Sequence, residues 1–310
     1  MPNDKKRPTS NHPAFIYGTA KTHKFQPHEE ITGDKLKLRS IVSTVGTYYY
    51  ETAKYLAKFL APLAENNYNI KNTLDFPDRL SDMTLEEDEI IVSYDVSSLF
   101  TQVPLKETVD FIIEQIYNHK RLPKISSNLL FRRLLLKVCQ GVVFSFNNRL
   151  YKQFDGCGMG NPLSPVLANI FMTMLEADTV TPLNPECYYR YFDDIFSKKK
   201  KNKHDQLLVK LNSYHPNILF TVEENPDHFL DTAIHRTENN FSFSVYTKPG
   251  KIPTNWKSEV PTSWKRNAIT GALHRAKRIA TNFENEVQII RNKFQKSGYP
   301  RKFIENTRLF

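Results

Sequence analysis

Apolar positions along the chain follow two different periods. Residues 39–43 and 90–94 are short runs rich in β-branched side chains, as in strands. The second of these, Ile90-Ile91-Val92-Ser93-Tyr94, suits a strand buried on both faces. Ala53, Leu56, Ala57, Leu60 and Leu63 recur at helical spacing and predict a helix over 53–63, with Lys54 and Lys58 off the buried face. Val109, Ile112, Ile113 and Ile116 do the same within 106–119. The runs 142–146 and 149–153 flank Asn147-Asn148, which predicts a tight hairpin turn. A glycine-bearing turn at 156–160 then leads to a helix. Ser164 is expected as its N-cap and Pro165 in its first turn, with Leu167, Ile170, Phe171 and Met174 facing inward. Residues 188–197 read as a second hairpin with Asp193-Asp194 as its turn. A helix begins at 207–211, and strands are expected at 218–222 and 241–246. After Lys248-Pro249 the pattern turns helical. Phe283, Val287, Ile290 and Phe294 share a face, and Ser297-Gly298 with Pro300 ends that helix. The order of elements is α+β, not the regular alternation of a parallel sheet.

Composition supports a folded chain: 310 residues, 40% hydrophobic and 25% charged, long enough for two or three subdomains. Cys139, Cys157 and Cys187 are odd in number and lie outside any C-x-x-C spacing, which argues against a disulfide framework or zinc site and for a reducing compartment. The N-terminus has no apolar signal-peptide core. The net charge is +10, and residues 248–310 hold 14 Lys and Arg against four Asp and Glu, an excess equal to the whole. Charge alone fits either a solvated helical face or a phosphate-contact surface. The Lys198–201 run has a similar pair of readings, an exposed loop of like charges or an import or nucleic-acid signal.

The candidate chemistry lies in three carboxylates. Asp95 ends the apolar run after Tyr94, and Asp193-Asp194 occupies the second hairpin. Phosphoryl transfer between nucleotides needs two divalent ions held by hard oxygen ligands on rigid elements, and two or three carboxylates suffice. Paired Asp residues are commoner as simple turn formers, so the pair acquires weight only from its neighbours.

Those neighbours resemble reverse transcriptases. Ser93-Tyr94-Asp95-Val96-Ser97-Ser98-Leu99-Phe100 resembles their first catalytic motif. Gly156-Cys157-Gly158-Met159-Gly160-Asn161-Pro162-Leu163-Ser164-Pro165 resembles their glycine-rich nucleotide-and-template motif, and Tyr191-Phe192-Asp193-Asp194 resembles their metal-binding hairpin. Tyr17-Gly18-Thr19-Ala20-Lys21-Thr22-His23-Lys24, Phe229-Leu230-Asp231 and Ser244-Val245-Tyr246-Thr247-Lys248-Pro249 narrow the resemblance to the Penelope-like group. The segment usual upstream of the Tyr-Gly motif and the GIY-YIG endonuclease of many members are not present in the sequence.

The resemblance implies a right-hand polymerase: fingers over 1–88, a ferredoxin-like palm over 89–247 with a fingers insertion around 106–150, and a basic helical thumb over 248–310. It implies an RNA-directed DNA polymerase acting on an RNA template, a DNA primer and dNTPs, in the nucleus. Asp95, Asp193 and Asp194 would be catalytic and hold two Mg²⁺ ions, or Mn²⁺, with a backbone ligand at Val96. Arg39, Phe100, Gly156, Met159, Gly160 and Phe192 would contact the nucleotide, with Phe100 excluding a ribose 2′-hydroxyl. Lys21, Lys24, Lys265, Arg266, Arg275, Lys277 and Arg278 would contact nucleic acid. Two other classes compete. One is a decayed or repurposed nucleic-acid binder without catalysis. The other is a metal-dependent nuclease, which leaves Phe100 and the glycine turn unexplained.

Overall fold

The computed structural model describes residues 13–20, 38–81, 83–121, 127–140, 142–201, 204–236 and 240–307. The chain begins with strands Ala14–Ala20 (β1) and Leu38–Ser43 (β2), then helices Tyr50–Leu60 (α1) and Phe76–Leu80 (α2). Strand Glu89–Val96 (β3) is followed by helices Leu99–Gln102 (α3), Leu105–Tyr117 (α4) and Asn128–Gln140 (α5). A hairpin, Val143–Phe146 (β4) and Arg149–Lys152 (β5), precedes helix Ser164–Thr179 (α6). The second hairpin is Tyr188–Tyr191 (β6) and Asp194–Lys200 (β7), followed by helix Gln206–Tyr214 (α7). Strands Phe220–Glu224 (β8), His228–Phe229 (β9), Thr232–Arg236 (β10) and Phe241–Val245 (β11) lead to helices Thr262–Ile279 (α8), Phe283–Lys296 (α9) and Arg301–Glu305 (α10).

The sheet that positions the site runs β6-β7-β3-β8, with each neighbouring pair antiparallel. β3 is central because its residues suit burial on both faces. Ile90, Val92, Tyr94 and Val96 enter the main core with α1, α4, α5 and α6, while Ile91 faces a second cluster containing Phe76, Phe196 and Phe229. α6 is buried nearly all round, which makes it the central post of the main core. The hairpin β4–β5 joins β1 and β2 in a separate sheet of order β2-β1-β4-β5, whereas α4 and α5 contribute Val109, Ile112, Phe131 and Leu135 to the main core. The C-terminal helices hold their own core around Ile269, Leu273, Ile290, Phe294 and Tyr299.

Turn chemistry behaves as the residues demand in two places. Asn147 and Asn148 both have positive φ, as a two-residue turn with Asn at each central position requires. Gly298, at φ +85°, ends α9. The expected cap at Ser164 is corrected: Leu163 is the N-cap, and Ser164 is the first helical residue. Its hydroxyl donates 2.7 Å to the Gly158 carbonyl, tying the glycine turn to the helix instead of capping it. The strand β1, the helix α5 and the strand β10 have no counterpart in the periodicity reading. Among the described residues no helix is long and apolar enough to cross a membrane.

Candidate active site

The hairpin β6–β7 closes with Tyr191 opposite Asp194, so its two turn residues are Phe192 and Asp193. The sequence places the turn one residue later, at Asp193-Asp194. The shift matters because it makes Asp194 the first residue of β7 and puts it in register with Asp95 on β3. Cross-strand partners share a face of the sheet, so two carboxylates stand side by side where the ladder ends. Asp193 is at the tip, and its carbonyl accepts the Val96 amide at 3.3 Å. Two of the aspartates therefore share the last rung of a rigid sheet, and the third sits in the adjoining turn. Phe192 has φ +55°, a left-handed conformation at a turn position where glycine is the usual resident. Its ring meets Tyr191 edge-on at 5.0 Å.

The electrostatics follow from this crowding. Desolvation, then the negative charges of Asp193 and Asp95, push the Asp194 carboxyl up from 3.8 to about 6, against the opposing influence of Lys248 and His228. Among the described residues no group of three or more His, Cys, Asp and Glu side chains is closed into a metal-holding cluster. The donor set still fits a hard divalent cation: carboxylate oxygens whose mutual repulsion a cation would relieve.

What holds the tip in place escaped the sequence reading. Arg190, two residues before the turn, is buried. Its guanidinium makes two bonds to Glu176 of α6, 2.5 and 3.1 Å, and its Nη1 reaches Asn169 Oδ1 at 2.8 Å and the Phe192 carbonyl at 3.2 Å. Glu176 also accepts from Asn66. The central helix thus grips the turn carbonyl through a fully desolvated, multiply bonded ion pair. Its signal in the sequence was a charged residue at an inward position on each element: Arg190 alternating with buried Tyr188, and Glu176 beside Leu175.

The glycine turn sits between α3 and β2. A Cβ on Gly156, at φ +73°, would lie 2.2 Å from the Thr101 carbonyl, and one on Gly160, at φ +114°, 2.4 Å from the Val42 carbonyl. The chain's own backbone therefore uses the space that both glycines leave. The Met159 carbonyl accepts the Val42 amide at 2.7 Å, so β2 and the glycine turn are one assembly. Arg39 is exposed on β2, opposite Thr19. Phe100 is half-buried against the main core, and its carbonyl accepts the Cys157 amide at 2.6 Å. Asn161 is buried and bridges the turn to α5 through the Val138 carbonyl at 3.0 Å.

The basic residues divide. Lys21 and Lys24 lie outside the described residues. Lys265, expected on a nucleic-acid face, is corrected to an interior role: it is buried, donates 2.6 Å to the Trp256 carbonyl and lies over the Trp256 ring. Arg275 lies 4.0 Å from Asp231, and Arg278 pairs with Asp75 at 2.7 Å, so both tie α8 to the rest of the protein. Lys277 is exposed, and Arg266 lies over Phe303. The Lys198–201 run is strand rather than loop over Lys198 to Lys200. Lys198 pairs with Glu89 and Glu186, Lys199 with Glu224 and Asp205, and Lys200 with Glu86 and Asp88. Neutralised in this way, it offers little as an import or nucleic-acid signal.

Residues 32–225 match the family model described as reverse transcriptase (RNA-dependent DNA polymerase), and residues 252–309 match one described as an animal helix-turn-helix domain. No curated protein matches the chain. Among solved structures, a telomerase from Candida albicans aligns at TM-score 0.60 and 12% identity, over 96% of this chain and 57% of that one. The apo telomerase from Candida tropicalis gives 0.52 and 11%, over 96% and 58%. An RNA-dependent RNA polymerase of a human picobirnavirus, with an insertion loop deleted, gives 0.53 and 10%, over 92% and 58%. These likenesses show a shared right-hand polymerase fold, and the chain spans a little over half the length of each.

Proposed function

The chain belongs to the reverse transcriptase (RNA-dependent DNA polymerase) family, and from that premise we propose that it is the polymerase of a Penelope-like retroelement, extending a DNA primer along an RNA template with dNTPs. The observation that carries this reading is the register pairing of Asp95 with Asp194, with Asp193 at the adjoining turn. Asp95, Asp193 and Asp194, with the Val96 backbone, would hold two Mg²⁺ ions, for which Mn²⁺ can substitute, supplying positive charge at the primer 3′-hydroxyl and the leaving pyrophosphate. Arg190 keeps the tip in place through the Phe192 carbonyl, which positions the carboxylates before substrate arrives. Phe100, fixed against the core, would exclude a ribose 2′-hydroxyl. Arg39, on the strand bonded to the glycine turn, would hold the triphosphate. Residues 1–88, 89–247 and 248–310 would act as fingers, palm and thumb. The Penelope-like assignment rests on the sequence motifs, and nuclear residence is part of the same reading.

Primer extension on an RNA template with dNTPs and Mg²⁺ or Mn²⁺ tests it. The expected result is incorporation that Asp193→Ala lowers by about 10²–10³-fold, the effect of losing several kcal/mol of charge stabilisation. A folded sample that binds template–primer and incorporates nothing, or a variant as active as the parent, would overturn the reading.

A further inference from the structure

Between α8, α9 and the segment leaving β11 lies a cavity of about 620 Å³. Its α8 wall is Ala268, Gly271, Ala272 and Arg275, spaced to share one helical face. Small side chains on that face open the groove. The floor from α9 is apolar, with Ile289, Ile290 and Phe294, and Ile252 stands at the mouth, 81% exposed. Three cations converge on it from three elements: Lys251 from the connecting segment, Arg275 from α8 and Lys293 from α9. Burial, together with the charges of Lys251 and Arg275, holds the Lys293 ammonium below the usual lysine range, against the opposing influence of Glu286. Glu286 lines the cavity too and accepts the Val245 amide at 3.3 Å, and Arg275 is 4.0 Å from Asp231, so the three cations outnumber the one carboxylate in the lining.

An apolar floor with clustered cations calls for an anion attached to a flat apolar body. Paired duplex presents its phosphates on a convex surface and has no use for the floor. An unpaired nucleotide uses both parts, since exposed bases gain by contact with apolar side chains while their phosphates seek cations. Lys251, at the cavity, is three residues along the chain from Lys248, whose charge acts on Asp194. We propose that it captures an unpaired nucleotide of the bound nucleic acid, with the base on the Ile289, Ile290 and Phe294 floor and the phosphates on Lys251, Arg275 and Lys293. The inference rests on the polymerase reading and adds a site that recognises unpaired rather than paired strands.

Gly271 supplies the test. A Cβ added there meets no atom within 4 Å, and its φ is not left-handed, so the backbone accepts a side chain, and Gly271→Leu places one in the groove while replacing glycine by a better helix former. Fluorescence anisotropy on the full chain compares a short blunt RNA–DNA hybrid with the same hybrid carrying one unpaired nucleotide, at one fixed salt concentration. The expected result is about tenfold tighter binding of the second probe. Gly271→Leu and Lys293→Gln should abolish that preference. Gly271→Leu should also leave the blunt hybrid's affinity unchanged, and it should not lower the thermal unfolding temperature. Equal affinity of the unsubstituted chain for both hybrids overturns the inference alone, and binding of neither overturns the polymerase reading with it. An equal loss on both hybrids in Gly271→Leu also overturns the inference. So does capture of an acidic amphipathic peptide by a chain lacking the preference, which would assign the cavity to a protein partner.

Discussion

At one end of the β3–β7 ladder Glu89 faces Lys200; at the other Asp95 faces Asp194. The first end is a lattice of opposite charges. Glu89 and Lys198, nearly buried, bond at 3.1 Å, and Lys199 and Lys200 each find two carboxylates. The second end sets like charges side by side on the same two strands. Backbone pairing is equally regular at both ends, so the strands themselves do not require the difference. A ladder selected for stability alone would place opposite charges at each end, because like charges directly across a sheet destabilise it. A repulsive end kept on a rigid sheet is the arrangement expected of a site awaiting a cation.

The largest expected effect breaks the paired end. Lys198→Met keeps the aliphatic stem but leaves Glu89 buried without its cation, and should destabilise the fold by about 2 kcal/mol. Urea unfolding measures it. A loss below 0.5 kcal/mol would mean that Glu186, the exposed partner of Lys198, marks a surface pair and not an interior one.

A smaller effect of opposite sign is expected at the other end. Asp194→Asn should stabilise the metal-free protein by about 0.2–1 kcal/mol at neutral pH, since it removes a cross-strand repulsion. The sign also fixes a pH dependence. The folded carboxyl titrates near 6 and the unfolded one near 3.8, so the folded state holds the proton more tightly. Its contribution to stability is complete below 3.8 and is lost as pH rises through about 6. Melting temperature followed between pH 4 and 7 should therefore fall more steeply for the parent than for Asp194→Asn. Parallel curves would show that neither desolvation nor the charges of Asp193 and Asp95 raise the Asp194 carboxyl.

The paired end and the repulsive end were unequally legible in the sequence. The strands were plain, because Ile90 to Tyr94 and Tyr188 to Phe196 carry the apolar patterns that sheets demand. The aspartates stood out through their motif. Their register did not, because it depends on which residue of Phe192-Asp193-Asp194 takes the left-handed conformation, and a phenylalanine there defies the usual turn preferences. The Lys198–201 run reads as a solvated loop because most of its partners lie far off in sequence, at Glu86, Asp88, Glu89, Glu186 and Glu224, and the nearer Asp205 stands beyond the strand's end. Arg190 and Glu176 were passed over for the same reason: a buried ion pair is visible only when both members are placed. α5 was missed because exposed Leu129, Leu130 and Leu134 blur the face that Phe131, Leu135 and Val138 bury.

The smallest expected effect separates charge that is spent from charge that is offered. Lys200 is 40% exposed, and its carboxylate partners Glu86 and Asp88 are more exposed still, so solvent screens both ion pairs. Lys200→Ala should leave stability almost unchanged. It should also leave the dependence of nucleic-acid affinity on salt unaltered, because an ammonium already held by carboxylates releases no counterions from a phosphate backbone. Lys277→Ala, on the exposed face of α8, should lower the slope of log affinity against log salt by about 1. Equal slopes for the two variants would mean that the helical tail's charge is as fully committed as the strand's. The division between a neutral sheet and a phosphate-facing tail would then have to be redrawn.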